Sequence, residues 1–358
     1  MKLRPAPLTL LALLSTCYLH AAEFSIQETP GKYTDILQNG KIVGRYMQEH
    51  DVSTDKARND TYKPYLHIFD PAGKEPITKG PGGEYTHHRG IFIGWMKITV
   101  DGQKPVDRWH MKNSKGDEAK VGNVTVADIV HQKFLEQKAD SNGATLTSQN
   151  IWQNIKPGEP MLEEERTMQF LPAPEPAYAM IDFTSKVKAV AGDTTLDGDP
   201  EHAGLQFRPS DEVERAKTVY LYPVAKAEPH KDKDYPWVAE TFTLKTGGTY
   251  SVIYLNHPSN VKNTAFSAYR NYGRFGGFFK GPVKKGETFT AKARFLIIAG
   301  EMPSADFIQK QYNVYAGVNE PTPPTTAKAA EQPAPAKPKD DKKKTDPKAP
   351  AEPKPTAK

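Results

Sequence analysis

His87 and His88 stand side by side, followed by Arg89, in the glycine-bracketed run Gly82-Gly83-Glu84-Tyr85-Thr86-His87-His88-Arg89-Gly90. Imidazole gains and loses a proton near neutral pH, and guanidinium grips oxyanions. The run therefore suits proton transfer beside an anion-holding group. The chain has ten His, and another lies in Glu201-His202-Ala203-Gly204-Leu205-Gln206-Phe207-Arg208. If that stretch is extended, His202, Gly204, Gln206 and Arg208 share one face, and Leu205 and Phe207 share the other. Further on come Asn256-His257-Pro258 and Tyr269-Arg270-Asn271-Tyr272, where rings beside cations suit stacking on a sugar. Trp95 supplies a ring close to the first run.

The expected site follows from these types. His87, His88 and His202 are the acid or base groups. Arg89, Trp95, Gln206, Arg208, His257 and Tyr272 are the substrate contacts. Neighbours in an extended chain face opposite ways, so one of His87 and His88 faces the site, and the sequence does not fix which. The leading expectation is an enzyme acting on a sugar, sugar acid or related polyol as a hydrolase, lyase or epimerase, with no cofactor. Two other readings fit the same residues. One is a non-catalytic glycan-binding module. The other is a metal-dependent hydrolase or oxygenase with a divalent ion on His87 or His88, His202 and Glu84. The Gly-x-Ser-x-Gly elbow, the His-Glu-x-x-His zinc motif and the phosphate-binding P-loop are absent from the sequence.

Strands must position these groups. Period-two alternation recurs and helical periodicity is scarce. Ile181, Phe183, Val187 and Ala189 oppose Asp182, Thr184, Lys186 and Lys188; Phe289, Ala291, Ala293, Phe295 and Ile297 oppose Lys292 and Arg294. Turn signals such as Asn39-Gly40, Asp101-Gly102 and Asn142-Gly143 separate such stretches. The fold class this predicts is all-β: one large antiparallel sandwich over residues 23–318, of the mutarotase-like kind, with a single C-terminal helix capped by Ser304 and stopped by Gly317. In Leu162–Phe170, Glu164 and Arg166 lie on an apolar face and read as a partly buried ion pair.

The two ends stand apart. Lys2 and Arg4, the apolar Leu8 to Leu14, and Ala21-Ala22 have the layout of a secretory signal over residues 1–22. The expected location is periplasmic or extracellular, with lipoprotein anchoring through Cys17 as the alternative. Cys17 is the only cysteine, so the mature chain has neither disulfide nor thiolate ligand. Residues 319–358 are rich in Pro, Ala and Lys and read as a disordered tail able to touch an anionic envelope polymer. The net charge of +5 resides in the two ends, which leaves a neutral core. Nucleic acid is therefore excluded as a partner, and no stretch is long and apolar enough to span a membrane.

Five segments together resemble the bacterial methane oxygenase PmoA-like family. They are Lys63-Pro64-Tyr65-Leu66-His67, Gly80-Pro81 through His87-His88-Arg89-Gly90 to Trp95, His202 to Arg208, Asn256-His257-Pro258-Ser259-Asn260, and Gly286-Glu287. The resemblance implies a secreted β-rich protein associated with sugar catabolism. A membrane-embedded oxygenase subunit does not fit a chain without a spanning segment. The family's usual Asp-His-Pro is Gly83-Glu84-Tyr85-Thr86 here, which takes one His from a three-histidine metal site.

Overall fold

The computed structural model describes residues 23–110, 120–121, 124–125, 128–153 and 160–332. The expected signal segment with Cys17, and the tail beyond residue 332, lie outside the described residues.

Two large sheets face each other. The first has eight strands, in the order Phe24–Thr29, Tyr33–Gln38, Lys41–Met47, Tyr65–Ile68, Ile91–Trp95, Ala203–Phe207, Phe275–Phe278 and Ala265–Phe266. The second has nine, running from Thr326–Ala329 through Val219–Tyr222, Trp237–Thr243, Thr249–Asn256, Thr288–Ala299, Ala177–Ala189, Pro160–Leu171 and Gly143–Gln153 to Ile129–Asp140. Neighbours within both sheets run antiparallel. The fold is the all-β antiparallel sandwich that the alternation predicts.

The alternation settles which side chains meet between the sheets. Ile91, Ile93, Trp95, Leu205 and Phe207 point inward from the first sheet and Phe183, Val252, Tyr254, Phe295 and Ile297 from the second, all in one buried cluster. The opposite parity of the second sheet, including Trp237, Ile253, Leu255 and Leu296, is covered by helix Ala305–Ala316 through Ile308. That helix starts at Ser304, whose hydroxyl accepts from the Phe307 N–H, and stops at Gly317 with φ of 67°.

Glu164 and Arg166 form the predicted ion pair, fully buried between the sheets. The guanidinium makes a bidentate contact at 2.8–2.9 Å, while Trp152 Nε1 and Ser185 Oγ donate to the same carboxylate at 2.9 and 2.7 Å.

Two features depart from expectation. A second, short helix spans Asp55–Thr61 and starts at Thr54, whose hydroxyl accepts from the Ala57 N–H; its 7 residues are too few to show helical periodicity in the sequence. Thr326–Ala329 belongs to the stretch read as disordered tail, yet it is an edge strand paired antiparallel with Val219–Tyr222. Composition predicts disorder when a segment cannot bury apolar surface of its own. Here the pairing is main-chain hydrogen bonding to a waiting sheet edge, which composition does not report.

Among the described residues, no helix is long and apolar enough to cross a membrane.

Candidate functional site

The outward parity of the eight-stranded sheet carries the chemistry. Phe92, Gly94, Gln206 and Arg208 point away from the core, and Tyr65, Phe92 and Trp109 form a small buried cluster on this side. Segments Tyr85–Arg89, Asp107–His110, Asp199–His202 and Tyr269–Arg274 lie over it. Gly94 makes room for the second of these. A Cβ built there would stand 2.5 Å from the Arg108 carbonyl oxygen, so only a glycine lets the chain cross the strand so closely.

Four imidazoles meet where the segments converge. Ring centroids are 4.4 Å apart for His87–His88, 4.2 Å for His87–His110 and 5.1 Å for His110–His202. Two of them are oriented by the same local device, an Asp three residues upstream. His110 Nδ1 lies 2.7 Å from Asp107 Oδ2, and His202 Nδ1 lies 2.8 Å from Asp199 Oδ1. Each Asp also accepts backbone N–H groups of its own turn, Asp107 from Trp109 and His110 and Asp199 from Glu201. A carboxylate on Nδ1 fixes the tautomer and leaves Nε2 for a ligand.

Burial sets the character of the other two. Loss of hydration, and after it the neighbouring His110 and Lys63, pushes His87 far below the ordinary imidazole value. Burial and Arg274 do the same to His88. Both are neutral at physiological pH. Among the described residues, His87 Nε2, His88 Nδ1 and Trp109 Nε1 are buried without a hydrogen-bond partner, which marks them as contacts for a polar ligand.

The rim is aromatic. Tyr272 lies 4.9 Å from Tyr85 and 6.0 Å from His88. Tyr85 is 42% exposed and has φ of 52°, a left-handed conformation that costs a bulky residue about 1–2 kcal/mol. Strain of this kind collects at binding sites. Tyr85→Gly is accordingly expected to be more stable than Tyr85→Ala by about 1 kcal/mol, the reverse of the usual order. Urea unfolding of the two variants measures it, and equal midpoints refute the strain.

The cations behave differently from expectation. Arg89 is buried and donates to the backbone carbonyls of Asn59 at 2.7 Å, His88 at 2.8 Å and Thr86, so it braces the loop. Arg208 donates to the Tyr272 carbonyl at 2.6 Å and to Asp211 at 2.7 Å, and so positions Tyr272. Arg274 donates to the Glu201 carbonyl, one residue from His202. Lys63 sits 4.4 Å over the Phe92 ring and donates to the Trp109 carbonyl at 2.9 Å.

Of the residues expected to form the site, the structure brings His87, His88, His202 and Tyr272 together, with Arg208 behind Tyr272. It does not bring in Trp95, which is fully buried between the sheets, 5.6 Å from Trp152, and donates to the Phe279 carbonyl at 2.7 Å. Its parity follows Ile91 and Ile93, which fill the core. Gln206 faces outward but is buried and satisfied by the Ala203 carbonyl and Ser267 Oγ. His257 lies on the other sheet, 5.2 Å from Tyr315 of the helix and bonded to Ser259. Glu84, expected as a metal ligand, pairs with Arg215 at the surface. Among the described residues no three His, Cys, Asp or Glu side chains converge closely enough to hold a metal ion.

His110 is the residue that the sequence reading missed. The signal was present as a repeat, Asp107-Arg108-Trp109-His110 and Asp199-Pro200-Glu201-His202.

Beneath the Tyr269–Arg274 loop lies Glu240, fully buried, and among the described residues neither of its carboxylate oxygens has a hydrogen-bond partner. Burial pushes this carboxyl well above its usual range, against the pull of Arg208 and the Tyr220 hydroxyl. The folded state then keeps a proton that the unfolded chain releases above about pH 4.3. Stability from this group is full below that pH and is lost as pH rises toward the folded value. Glu240→Gln removes the loss, so its stability relative to the parent protein should rise between pH 5 and pH 8. Urea unfolding of both proteins at the two pH values checks this, and an unchanged or falling difference refutes it.

Two grooves elsewhere lack this convergence. In one of about 460 Å³, His67 is bonded to Thr78 and Tyr65. In another of about 710 Å³, His50 is bonded to Asp128.

Fold and site together define a large antiparallel sandwich with an imidazole cluster on the outer face of one sheet. The chain belongs to the family of unknown function DUF6807, which matches residues 33–313. This match overturns the resemblance to the methane oxygenase PmoA-like family. Short motifs built on Gly and Pro answer the backbone needs of turns, so they carry little family identity of their own. No curated protein matches the chain. Among solved structures, a mutant heparan sulfate lyase from Pedobacter heparinus is similar at 12% identity and TM-score 0.40, over 78% of this chain and 37% of that one. The chain thus spans little more than a third of the lyase's length. A protein assigned as a mutarotase from Salmonella typhimurium is similar at 10% identity and TM-score 0.36, over 78% of this chain and 94% of that one. One assigned as an aldose 1-epimerase from Escherichia coli K12 is similar at 9% identity and TM-score 0.32, over 78% of this chain and all of that one. These neighbours are sugar-processing proteins by name.

Proposed function

We propose that the protein is an exported enzyme that moves protons on a sugar or sugar acid, as an epimerase or lyase. The observation that carries this reading is the pair of Asp-backed imidazoles, His110 and His202, with ring centroids 5.1 Å apart. One dyad works as imidazole and the other as imidazolium. His202 Nε2 takes a proton from a substrate hydroxyl or acidic C–H, and Asp199 stabilises the charge it gains. His110 gives a proton from Nε2 to an oxygen of the same substrate, and Asp107 holds the ring through the change. In anomer exchange the hydroxyl proton leaves as the bond from C1 to the ring oxygen breaks, and ring closure runs both transfers in reverse; in elimination the C–H electrons form the C=C bond as the C–O bond breaks, and proton exchange with water resets both imidazoles. Tyr85 and Tyr272 stack on the ring, and neutral His87 and His88 bond its hydroxyls. The N-terminal layout of residues 1–22 supports export.

A panel of neutral sugars, uronic acids and their glycosides, incubated with the protein in D2O and followed by proton NMR, tests the reading. The expected result is solvent deuterium at a carbon position, accelerated anomer exchange or an unsaturated product for at least one member. Saturable binding without any of these would leave the glycan-binding module instead.

A further inference from the structure

The segment past the family match returns to the site. After strand Thr326–Ala329 the chain leaves the sheet, and its next residues reach the Tyr269–Arg274 loop. Ala330 N–H donates to the Thr218 carbonyl at 2.9 Å, and Glu331 N–H donates to the Tyr269 carbonyl at 2.9 Å. Asn271 Nδ2 donates to Gln332 Oε1 at 3.1 Å. The Glu331 carboxylate meets His230 Nε2 at 2.7 Å, and the His230 ring lies 4.0 Å from that of Tyr269.

Among the described residues the loop over 268–272 has no partner strand beyond the isolated bridge of Arg270 with Glu331, and although the Arg270 carbonyl also accepts from the Gly273 N–H at 3.0 Å, the other carbonyls depend on donors from outside. All five have one. Tyr222 Oη serves Ala268, Glu331 N–H serves Tyr269, Tyr220 Oη serves Arg270 at 2.7 Å, Thr218 Oγ1 serves Asn271 at 2.8 Å and Arg208 serves Tyr272 at 2.6 Å. Three of these donors belong to residues 218–222, whose sheet edge the strand Thr326–Ala329 covers. On its far side the loop grips the His202 turn. Arg270 Nε and Tyr269 Oη donate to the Glu201 carboxylate at 3.0 and 3.1 Å. The C-terminal segment, the loop and the turn bearing His202 are thus joined in series by polar contacts with directional geometry.

We propose that residues 326–332 are a positioning strap for the site, holding the Tyr269–Arg274 loop so that the Tyr272 ring and the Glu201–His202 turn stay in register with His87, His88 and His110. The positional claim stands on geometry alone; its effect on ligand binding rests on the reading of the site given above.

The test uses the full chain with Glu331→Ala and, more severely, Glu331→Pro, which also removes the N–H that serves Tyr269. Ile308→Ala, in the helix on the opposite side of the second sheet, is the control for general loosening. Imidazole carbon–proton NMR signals are assigned by His→Gln substitutions. The His202 and His88 signals are expected to shift in both strap variants, most in Glu331→Pro. They are expected to stay in place in Ile308→Ala, although that variant loses more stability because it opens a cavity. Signals that coincide with those of the parent in both strap variants, or that move equally in the control, overturn the proposal. A second arm measures affinity for D-glucuronate and methyl β-D-glucopyranoside, with about a tenfold loss expected in Glu331→Pro for whichever probe binds the parent protein. If neither probe binds the parent, the sugar reading loses support while the imidazole signals still decide the strap.

Discussion

His202→Ala is expected to lower turnover by about 10²–10⁴-fold, the usual contribution of a positioned proton carrier. Its stability should change by less than about 1 kcal/mol, because the side chain is 32% exposed and Asp199, which it meets, is half in solvent. The same reasoning applies to His110, whose ring is bonded to Asp107. If both dyads serve one proton path, the double variant should lose little more than either single variant, since residues acting as a unit are strongly non-additive. Asp199→Asn keeps the shape and removes the charge that steadies the imidazolium, so it should also be impaired. Steady-state rates on a substrate from the sugar panel decide this. A His202→Ala protein within twofold of the parent would remove the proton-transfer role.

The second large effect concerns stability. Glu164→Ala leaves the Arg166 guanidinium buried between the sheets without its counter-charge and takes an acceptor from Trp152 and Ser185. Removing one partner of such a pair costs about 3–5 kcal/mol, mostly through the stranded charge. Replacing both partners by apolar residues of similar volume should cost far less. Urea unfolding of the single and paired variants tests the contrast. A single variant that loses under about 1 kcal/mol would show that water reaches Arg166.

The sandwich was legible because burial on one face writes a period of two directly into the residues, as at Ile181 to Ala189 and Phe289 to Ile297. The same rule placed Glu164 and Arg166 on a buried face, and capping chemistry marked the helix ends at Ser304 and Gly317. Half of the candidate site was legible too, since His87, His88, His202 and Tyr272 stand in dense motifs. The misses have specific causes. The type of Trp95 suits stacking on a sugar, but its parity, shared with Ile91 and Ile93, puts it in the core. The types of Arg89 and Gln206 suit contact with a ligand, but backbone carbonyls and Ser267 claim both side chains. Such partners are distant in the chain and leave no local mark. His110 escaped notice because it reaches the cluster on a segment that crosses the sheet rather than from a strand end. The edge strand at 326–329 was hidden because an unfilled sheet edge recruits main chain with little regard to side chains.

The crossing over Gly94 also limits which mutational routes are open. A methyl group at that one carbon would lift residues 107–110 off the sheet, and with them Trp109 from the floor of the cluster and His110 from its wall. A sandwich built on this plan with any side chain at that point would have to bring its second proton carrier in from another direction, so the loss of one hydrogen atom's worth of space would change the chemistry available to the whole cleft.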